Sequence, residues 1–170
     1  MKSETILNNI LVILFRLPIV KKIWAKSFKA KSFKKVPWTP LKKPLPDCKI
    51  SLISTGGIIL KNDKPFDLNN PNGDSSSRRI PNNVKPQDLT ISHKYYDHKD
   101  ADQDPNLILP FEVLRELQKE GFLGASNKFH YSFMGHIKEP NLSILVNKSA
   151  IEVATELMHQ KVDIALLVPA

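Results

Sequence analysis

Residues 149–170 read SAIEVATELMHQKVDIALLVPA, and this stretch decides the fold class. From Ser149 to about Gln160, the residues Ile151, Ala154, Thr155 and Met158 recur at helical spacing. Val162–Val168, VDIALLV, is then a nearly pure apolar run. A helix followed at once by a short continuous apolar strand indicates a buried parallel strand in an α/β sheet. The expectation is an α/β fold, with a parallel or mixed sheet and flanking helices, Rossmann-like and incomplete at the C-terminus. In such sheets ligands bind outside the carboxyl ends of the strands. The chain stops at that place on its last strand, where a further loop and covering helix are expected.

Working back towards the N-terminus, residues 129–137, FHYSFMGHI, alternate aromatic and polar like a strand, with His130, Ser132 and His136 on one face. Pro110–Gly121, PFEVLRELQKEG, predicts a helix: Pro110 suits its start, Phe111, Val113, Leu114 and Leu117 form an apolar face, and Gly121 stops it. Lys49–Ser54, KISLIS, predicts the first core strand, and it breaks into Thr55-Gly56-Gly57. A strand ending in a Gly-Gly turn lets backbone N–H groups approach a ligand, so these three residues are candidates for substrate binding. The turn is not GxGxxG and no Walker lysine follows, so neither a dinucleotide nor an ATP site is expected. Residues 61–90 are loop-rich, with a turn at Asn72-Gly73-Asp74, and are too long for an ordinary connection. They are expected to form a functional loop or lid.

Chemistry-bearing residues are densest in ISHKYYDHKDADQDPN, residues 91–106. Asp100, Asp102 and Asp104 begin like a calcium loop, but Pro105 stands where the glycine belongs and Phe111 where the bidentate Glu belongs. The zinc pattern HxHxDH of metallo-β-lactamase-type hydrolases is approached by His93 to His98, but Tyr95 replaces the middle histidine. No metal is therefore expected. An acid/base and substrate-orienting cluster is the preferred reading: His93, Asp97 and His98 as catalytic candidates, with His130 beside them. A metal-dependent hydrolase using His93, Asp97 and His98 is the alternative enzyme reading.

Charge divides the chain. Residues 1–49 carry 12 Lys/Arg against 2 Asp/Glu, and residues 50–170 carry 13 against 15, so the net +8 belongs to an N-terminal arm. A nucleic-acid-binding body would carry its own basic stripe, and this one does not. Ile6–Val20 is too short and too interrupted by Asn8, Asn9, Arg16 and Pro18 to span a membrane, and it lacks the marks of a signal peptide. Ile6, Ile10 and Leu14, with Leu7 and Leu11, lie at helical spacing, and Pro18 should end or kink that helix. Beyond it, seven lysines from Lys21 to Lys35 interleave with Trp24, Phe28 and Phe33. Residues 1–35 are read as a basic amphipathic arm, either docked on protein or in peripheral contact with an anionic membrane. A non-catalytic membrane-surface protein is a third reading. Thirteen prolines, four of them between Pro37 and Pro46, give an extended connection into the core. The single cysteine, Cys48, allows no internal disulfide, fits a reducing cytoplasmic compartment, and opens an apolar run as a buried inert thiol would.

In this order, VPWTPLKKPL, STGG, ISHKYYDHKDADQDPN, HYSFMGHI and VDIALLVPA resemble the selenoprotein B family of glycine, sarcosine, betaine and D-proline reductases. The resemblance covers residues 36–170, which makes them the N-terminal part of such a reductase domain. It implies that selenocysteine, or cysteine, follows Ala170 directly in a U-x-x-C or C-x-x-C segment. The chain is then expected to be cut at an in-frame UGA codon and to be inactive alone; this chain itself carries no cofactor. The implied activity is reductive cleavage of the C–N bond of an amino acid or betaine. The implied partners are other reductase subunits, in several cases carbonyl-bearing, and a thioredoxin-like electron donor.

Overall fold

A computed structural model describes residues 13–14, 17–27 and 39–170 of the chain. They belong to two compact units, one formed by residues 1–40 with Tyr95–Asp97 and the other by Leu41–Lys94 with His98–Ala170. The first unit contains helix α1, Pro18–Ser27. Residues 13–14 are helical and the chain bends at Leu17, so the break expected at Pro18 is present, and Pro18 also opens the next helix, because its fixed φ suits the first helical position and its missing N–H has no partner to lose there. The expectations for residues 1–12 and 28–38 lie outside the described residues.

The second unit is α/β. Its elements in order are β1 Ile50–Ser54, β2 Ile58–Leu60, β3 Ser77–Pro81, β4 Leu89–Ile91, α2 Lys99–Gln103, α3 Phe111–Lys119, β5 Phe129–Phe133, α4 Asn141–Ile144, a π turn over Leu145–Ser149, α5 Ala150–His159 and β6 Ile164–Val168. Four strands form a mixed sheet in the order β3-β5-β1-β6. β1 is parallel to both β5 and β6, and β3 is antiparallel to β5. β2 and β4 form a separate antiparallel pair. The α/β class and the mixed sheet with flanking helices agree with the sequence reading.

β1 is the central strand, which explains its continuous apolar character: Ile50, Leu52 and even Ser51 and Ser54 are buried. One core packs Ile50, Leu52 and Ile58 with Ile80, Leu109, Phe111 and Leu114. A second packs Tyr131 and Phe133 against Val153 and Leu157, with Leu145 and Val162 at its margin. A leucine as enclosed as Leu52, which has 0% exposure, stabilises the fold by about 1.5–3 kcal/mol. Cys48 is buried as expected, with its Sγ 3.3 Å from the Pro44 carbonyl oxygen.

Three details differ from expectation. β6 is parallel but not buried: it pairs with β1 alone at one edge of the sheet, and Leu166 and Leu167 are 46% and 67% exposed. β5 stops at Phe133 instead of running to residue 137, so His136 does not share its face with His130 and Ser132, which are both buried. The loop-rich segment also holds β3, SRRIP, in which Ile80 is the one buried residue. Its arginines are held by contacts no local pattern encodes: Arg78 stacks 4.3 Å from the Phe66 ring centroid, and Arg79 pairs with Glu156 at 2.8 Å.

Both long helices of this unit end in the same way. After α3, the N–H of Gly121 donates to Gln118 O over 3.0 Å and that of Phe122 to Leu117 O over 2.9 Å, with Gly121 at φ +80°. After α5, Lys161 donates to Met158 O over 2.9 Å and Val162 to Leu157 O over 3.0 Å, with Lys161 at φ +54°. These are paired Schellman closures. In the second, a Cβ-bearing residue occupies the left-handed region that glycine fills without steric cost. Lys161→Gly is therefore expected to stabilise the chain by about 1 kcal/mol, read as a higher urea midpoint with an unchanged m-value.

Candidate functional site

The site grows from the carboxyl ends of the parallel strands. The Thr55 N–H donates to Val168 O over 3.1 Å, which ties the end of β1 to β6, and the Gly57 N–H donates to Phe133 O over 3.0 Å, which ties it to β5. The Gly56 N–H donates to Ser54 Oγ over 3.0 Å. All three turn N–H groups are thus engaged within the protein. The turn supplies close approach, not the free backbone donors expected from its sequence.

Why glycine is required can be stated atom by atom. Gly57 lies at φ +69°, and a Cβ there would come within 2.8 Å of Ser92 O and 3.1 Å of His93 Cβ. A Cβ on Gly56 would lie 2.9 Å from Ile108 Cδ1 and 3.3 Å from Ala170 Cβ. A Cβ on Gly135 would lie 2.7 Å from Thr55 O. Three strand ends and the segment after β4 therefore meet across a surface free of side chains. The N–H of Ala170 donates to Thr55 Oγ1 over 3.2 Å, so the chain beyond β6 runs alongside this turn.

His93 follows β4 and is buried. Its pKa is lowered to about 4, first by burial and then by the nearby charges of His136 and His98. His136 is likewise lowered, by burial first and then by Lys138 and Lys94. His98 stands at the start of α2, its Nδ1 2.7 Å from Asp102 Oδ2, which orients the ring. His93 lies within electrostatic reach of both His136 and His98, and its Cβ faces Gly57 of the turn. Sequence reasoning named two of them. His136 was noticed as a strand residue, and its value became apparent only once β5 ended before it.

The other predicted residues lie elsewhere. His130 is fully buried within the sheet. Its Nδ1 accepts from the Leu52 N–H over 3.1 Å, which requires the proton on Nε2, and Nε2 lies 3.2 Å from Asn82 Oδ1. The ring thus completes the ladder between β1 and β5, and burial, with Arg115 adding to it, lowers its pKa to about 4. Asp97 is exposed and belongs to the first unit; the neighbourhood described here is made of second-unit residues.

Residues 65–76, part of the segment 61–90 read as a functional loop or lid, are stitched down by their own side chains. The Asp67 N–H donates to Asp74 Oδ2 over 2.9 Å, and Asp67 Oδ1 accepts from the Asn69 and Asn70 N–H groups at 3.0 and 3.2 Å. The loop reaches the segment that carries His136: Lys138 N donates to Asn72 O over 2.9 Å, and Asn141 Nδ2 to Gly73 O over 2.6 Å. Lys94 Nζ donates to the Leu68 carbonyl from the other side. Among the described residues no group of three His, Cys, Asp or Glu side chains has the geometry to hold a metal ion. Chemically, the neighbourhood offers His93, an imidazole kept neutral by burial, beside closely packed strand ends.

A family model described as glycine/sarcosine/betaine reductase selenoprotein B matches residues 16–170. The chain is 35% identical over 130 residues to D-proline reductase subunit gamma of Acetoanaerobium sticklandii, covering 76% of this chain and 52% of that protein. It is 30% identical over 143 residues to the glycine reductase complex component B subunit gamma of Symbiobacterium thermophilum, covering 80% and 32%. It is 29% identical over 110 residues to the sarcosine reductase complex component B subunit beta of Peptoclostridium acidaminophilum, covering 61% and 24%. The chain therefore spans about half the length of the first of these relatives and less of the others. No solved structure matches it.

Two outcomes follow from this geometry. Gly57→Ala combines a left-handed φ with a backbone clash and is expected to cost about 1–3 kcal/mol of stability, measured by urea unfolding. His93 and His130 are neutral in the fold down to about pH 4, whereas in the unfolded chain they protonate near the ordinary value of 6.5. The unfolded state then binds more protons between these limits, so stability is full above pH 6.5 and falls as pH drops towards 4. NMR titration of the ring protons should show both histidines titrating well below the ordinary range.

Proposed function

The chain belongs to the glycine/sarcosine/betaine reductase selenoprotein B family, and from that premise we propose that it is part of a selenol- or thiol-dependent reductase that cleaves the C–N bond of an amino acid or betaine-type substrate. Its relatives are subunits of reductase complexes, which are oxidoreductases. The observation that carries the reading is the meeting of the end of β6 with the Thr55–Gly57 turn. Ala170 lies against Gly56, where any side chain would intrude, and its N–H is held by Thr55 Oγ1 at 3.2 Å. A selenocysteine or cysteine following Ala170 would leave the sheet beside this turn, where His93 packs on Gly57, and where Gly135, the neighbour of His136, approaches Ala170 O.

Such a residue supplies a nucleophile largely ionised at neutral pH and, with a neighbouring thiol, the two electrons of the reduction. The thioredoxin-like donor returns the resulting bridge to its reduced state. The departing amine needs a proton. Burial lowers the pKa of His93 to about 4, so the ring is neutral at rest, and a proton it takes up transiently is given up readily to the departing amine. His98, oriented by Asp102, stands as the relay between this buried ring and water. Thr55 fixes the direction in which the chain leaves β6. His130 serves the sheet rather than the reaction, since both its nitrogens face protein partners. A cytoplasmic location follows from the thiol chemistry; among the described residues no helix is long and apolar enough to cross a membrane.

The test begins with the genomic codon after Ala170. An in-frame TGA, or a cysteine codon, leading into a C-x-x-C-like continuation is expected. TAA or TAG there, without such a continuation, removes the mechanism. In the extended chain assembled with its partner subunits, His93→Gln is expected to lower kcat by about 10²-fold, read by release of ammonia or an amine from glycine, sarcosine or betaine, or by ring opening of D-proline. His130→Asn is expected to lower the thermal midpoint more than kcat.

A further inference from the structure

The helix α1 answers to none of this chemistry. It runs PIVKKIWAKS, Pro18–Ser27, and none of its residues is buried. At 100° per residue, Ile19, Val20, Ile23 and Trp24 fall within one arc that also takes in Ser27, Lys21 and Lys22 fall on the other side with Ala25 between them, and Lys26 stands at the boundary beside Ile19. The apolar arc is open to solvent: Ile19 is 70% and Ile23 66% exposed, with Trp24 at 53%. Leu17, which caps the helix through its carbonyl, extends the same arc and is 52% exposed. A three-turn helix with two largely exposed isoleucines on one side and lysines on the other has the two-sided character of a helix that lies flat at an interface.

Charge identifies the interface. Residues 1–49 hold 12 Lys/Arg and 2 Asp/Glu, whereas residues 50–170 hold 13 and 15. Lysines continue past α1 at Lys29, Lys31, Lys34 and Lys35, so the cationic stretch is longer than the helix. A nucleic-acid groove would engage the lysines and leave the isoleucines in water. An anionic bilayer satisfies both faces at once: lysines at the headgroups, isoleucines at the acyl boundary, and an indole at the polar–apolar boundary it favours.

We propose that α1 is a membrane-surface anchor: it lies in the plane of an anionic phospholipid bilayer, with Ile19, Ile23 and Trp24 inserted to the acyl boundary and Lys21, Lys22 and Lys26 at the headgroups. It does not span the bilayer, since ten residues cover about half the needed length. The anchor is independent of the reductase reading.

The test uses the 170-residue chain with sonicated vesicles of phosphatidylcholine alone or with 30% phosphatidylglycerol (a probe composition of about physiological charge). Co-sedimentation is expected with the anionic vesicles, weakened about tenfold or more by neutral lipid or by 0.5 M salt. Lys21→Glu/Lys22→Glu/Lys26→Glu and, separately, Ile19→Ser/Ile23→Ser should each weaken it by a similar factor while leaving the urea midpoint of the body unchanged. In a Trp38→Phe background, Trp24 emission should shift to the blue on binding and be quenched by lipid brominated near the acyl boundary. Equal binding to neutral and anionic vesicles, loss through the lysine variant but not the isoleucine variant, or salt-sensitive binding to duplex DNA with no transfer to vesicles would each overturn the proposal, the last in favour of nucleic acid.

Discussion

The close approach of three strand ends across surfaces without side chains governs the arrangement of the second unit. β1 turns at Thr55, and within three residues its backbone is hydrogen-bonded to β6 through Thr55 and to β5 through Gly57. Space for this exists because Gly56, Gly57 and Gly135 carry no Cβ; each would otherwise meet Ile108, Ser92 or Thr55 at under 3.0 Å. Parallel strands gather their carboxyl ends at one edge of a sheet, and that edge is where α/β proteins bind ligands. Here the edge is closed by packing first and is available for chemistry second. The turn's amides are consumed in holding the strands together, so polar work falls to the side chains around it.

Those side chains are imidazoles in an environment that disfavours charge. Burial dominates at His93, and neighbouring positive charge adds to it. His130 experiences the same field for a different purpose: its ring stands in for a backbone carbonyl in the β1–β5 ladder, where protonating Nδ1 would remove the acceptor that Leu52 needs. Two histidines with nearly the same depressed affinity for protons thus differ in role because of what their nitrogens face. A buried ring with both nitrogens committed to the sheet, as in His130, holds structure.

The loop over residues 65–76 shows how an irregular segment gains definition without a core of its own. Asp67 and Asp74 cap successive backbone N–H groups, and Arg78 donates to Lys64 O and Ser76 Oγ while stacking on Phe66. Desolvation opposes the charge of the Asp74 carboxylate, but its bonds to Ser76 and Asp67 prevail and keep its pKa below the ordinary value. The loop carbonyls of Asn72 and Gly73 then accept from the Lys138 N–H and Asn141 Nδ2, which secures the segment that presents His136.

Periodicity and punctuation in the chain by themselves determined the α/β class, the strand at residues 50–54, the helices ending at Lys119 and His159, the glycine stop at Gly121 and the parallel sense of the last strand. These features rest on local physics: side-chain spacing, missing amides and backbone freedom act within a few residues. The sequence also held the ordered motifs that identified the family, and two of the three histidines near the strand ends. Tertiary structure alone decided that β6 lies at an edge with Leu166 and Leu167 exposed, that SRRIP is a strand, that His130 is a sheet component and that His136 joins His93 and His98. Hydrophobicity states that a residue favours burial but not what covers it. The ends of strands, unlike their interiors, are fixed by contacts between residues far apart in the chain.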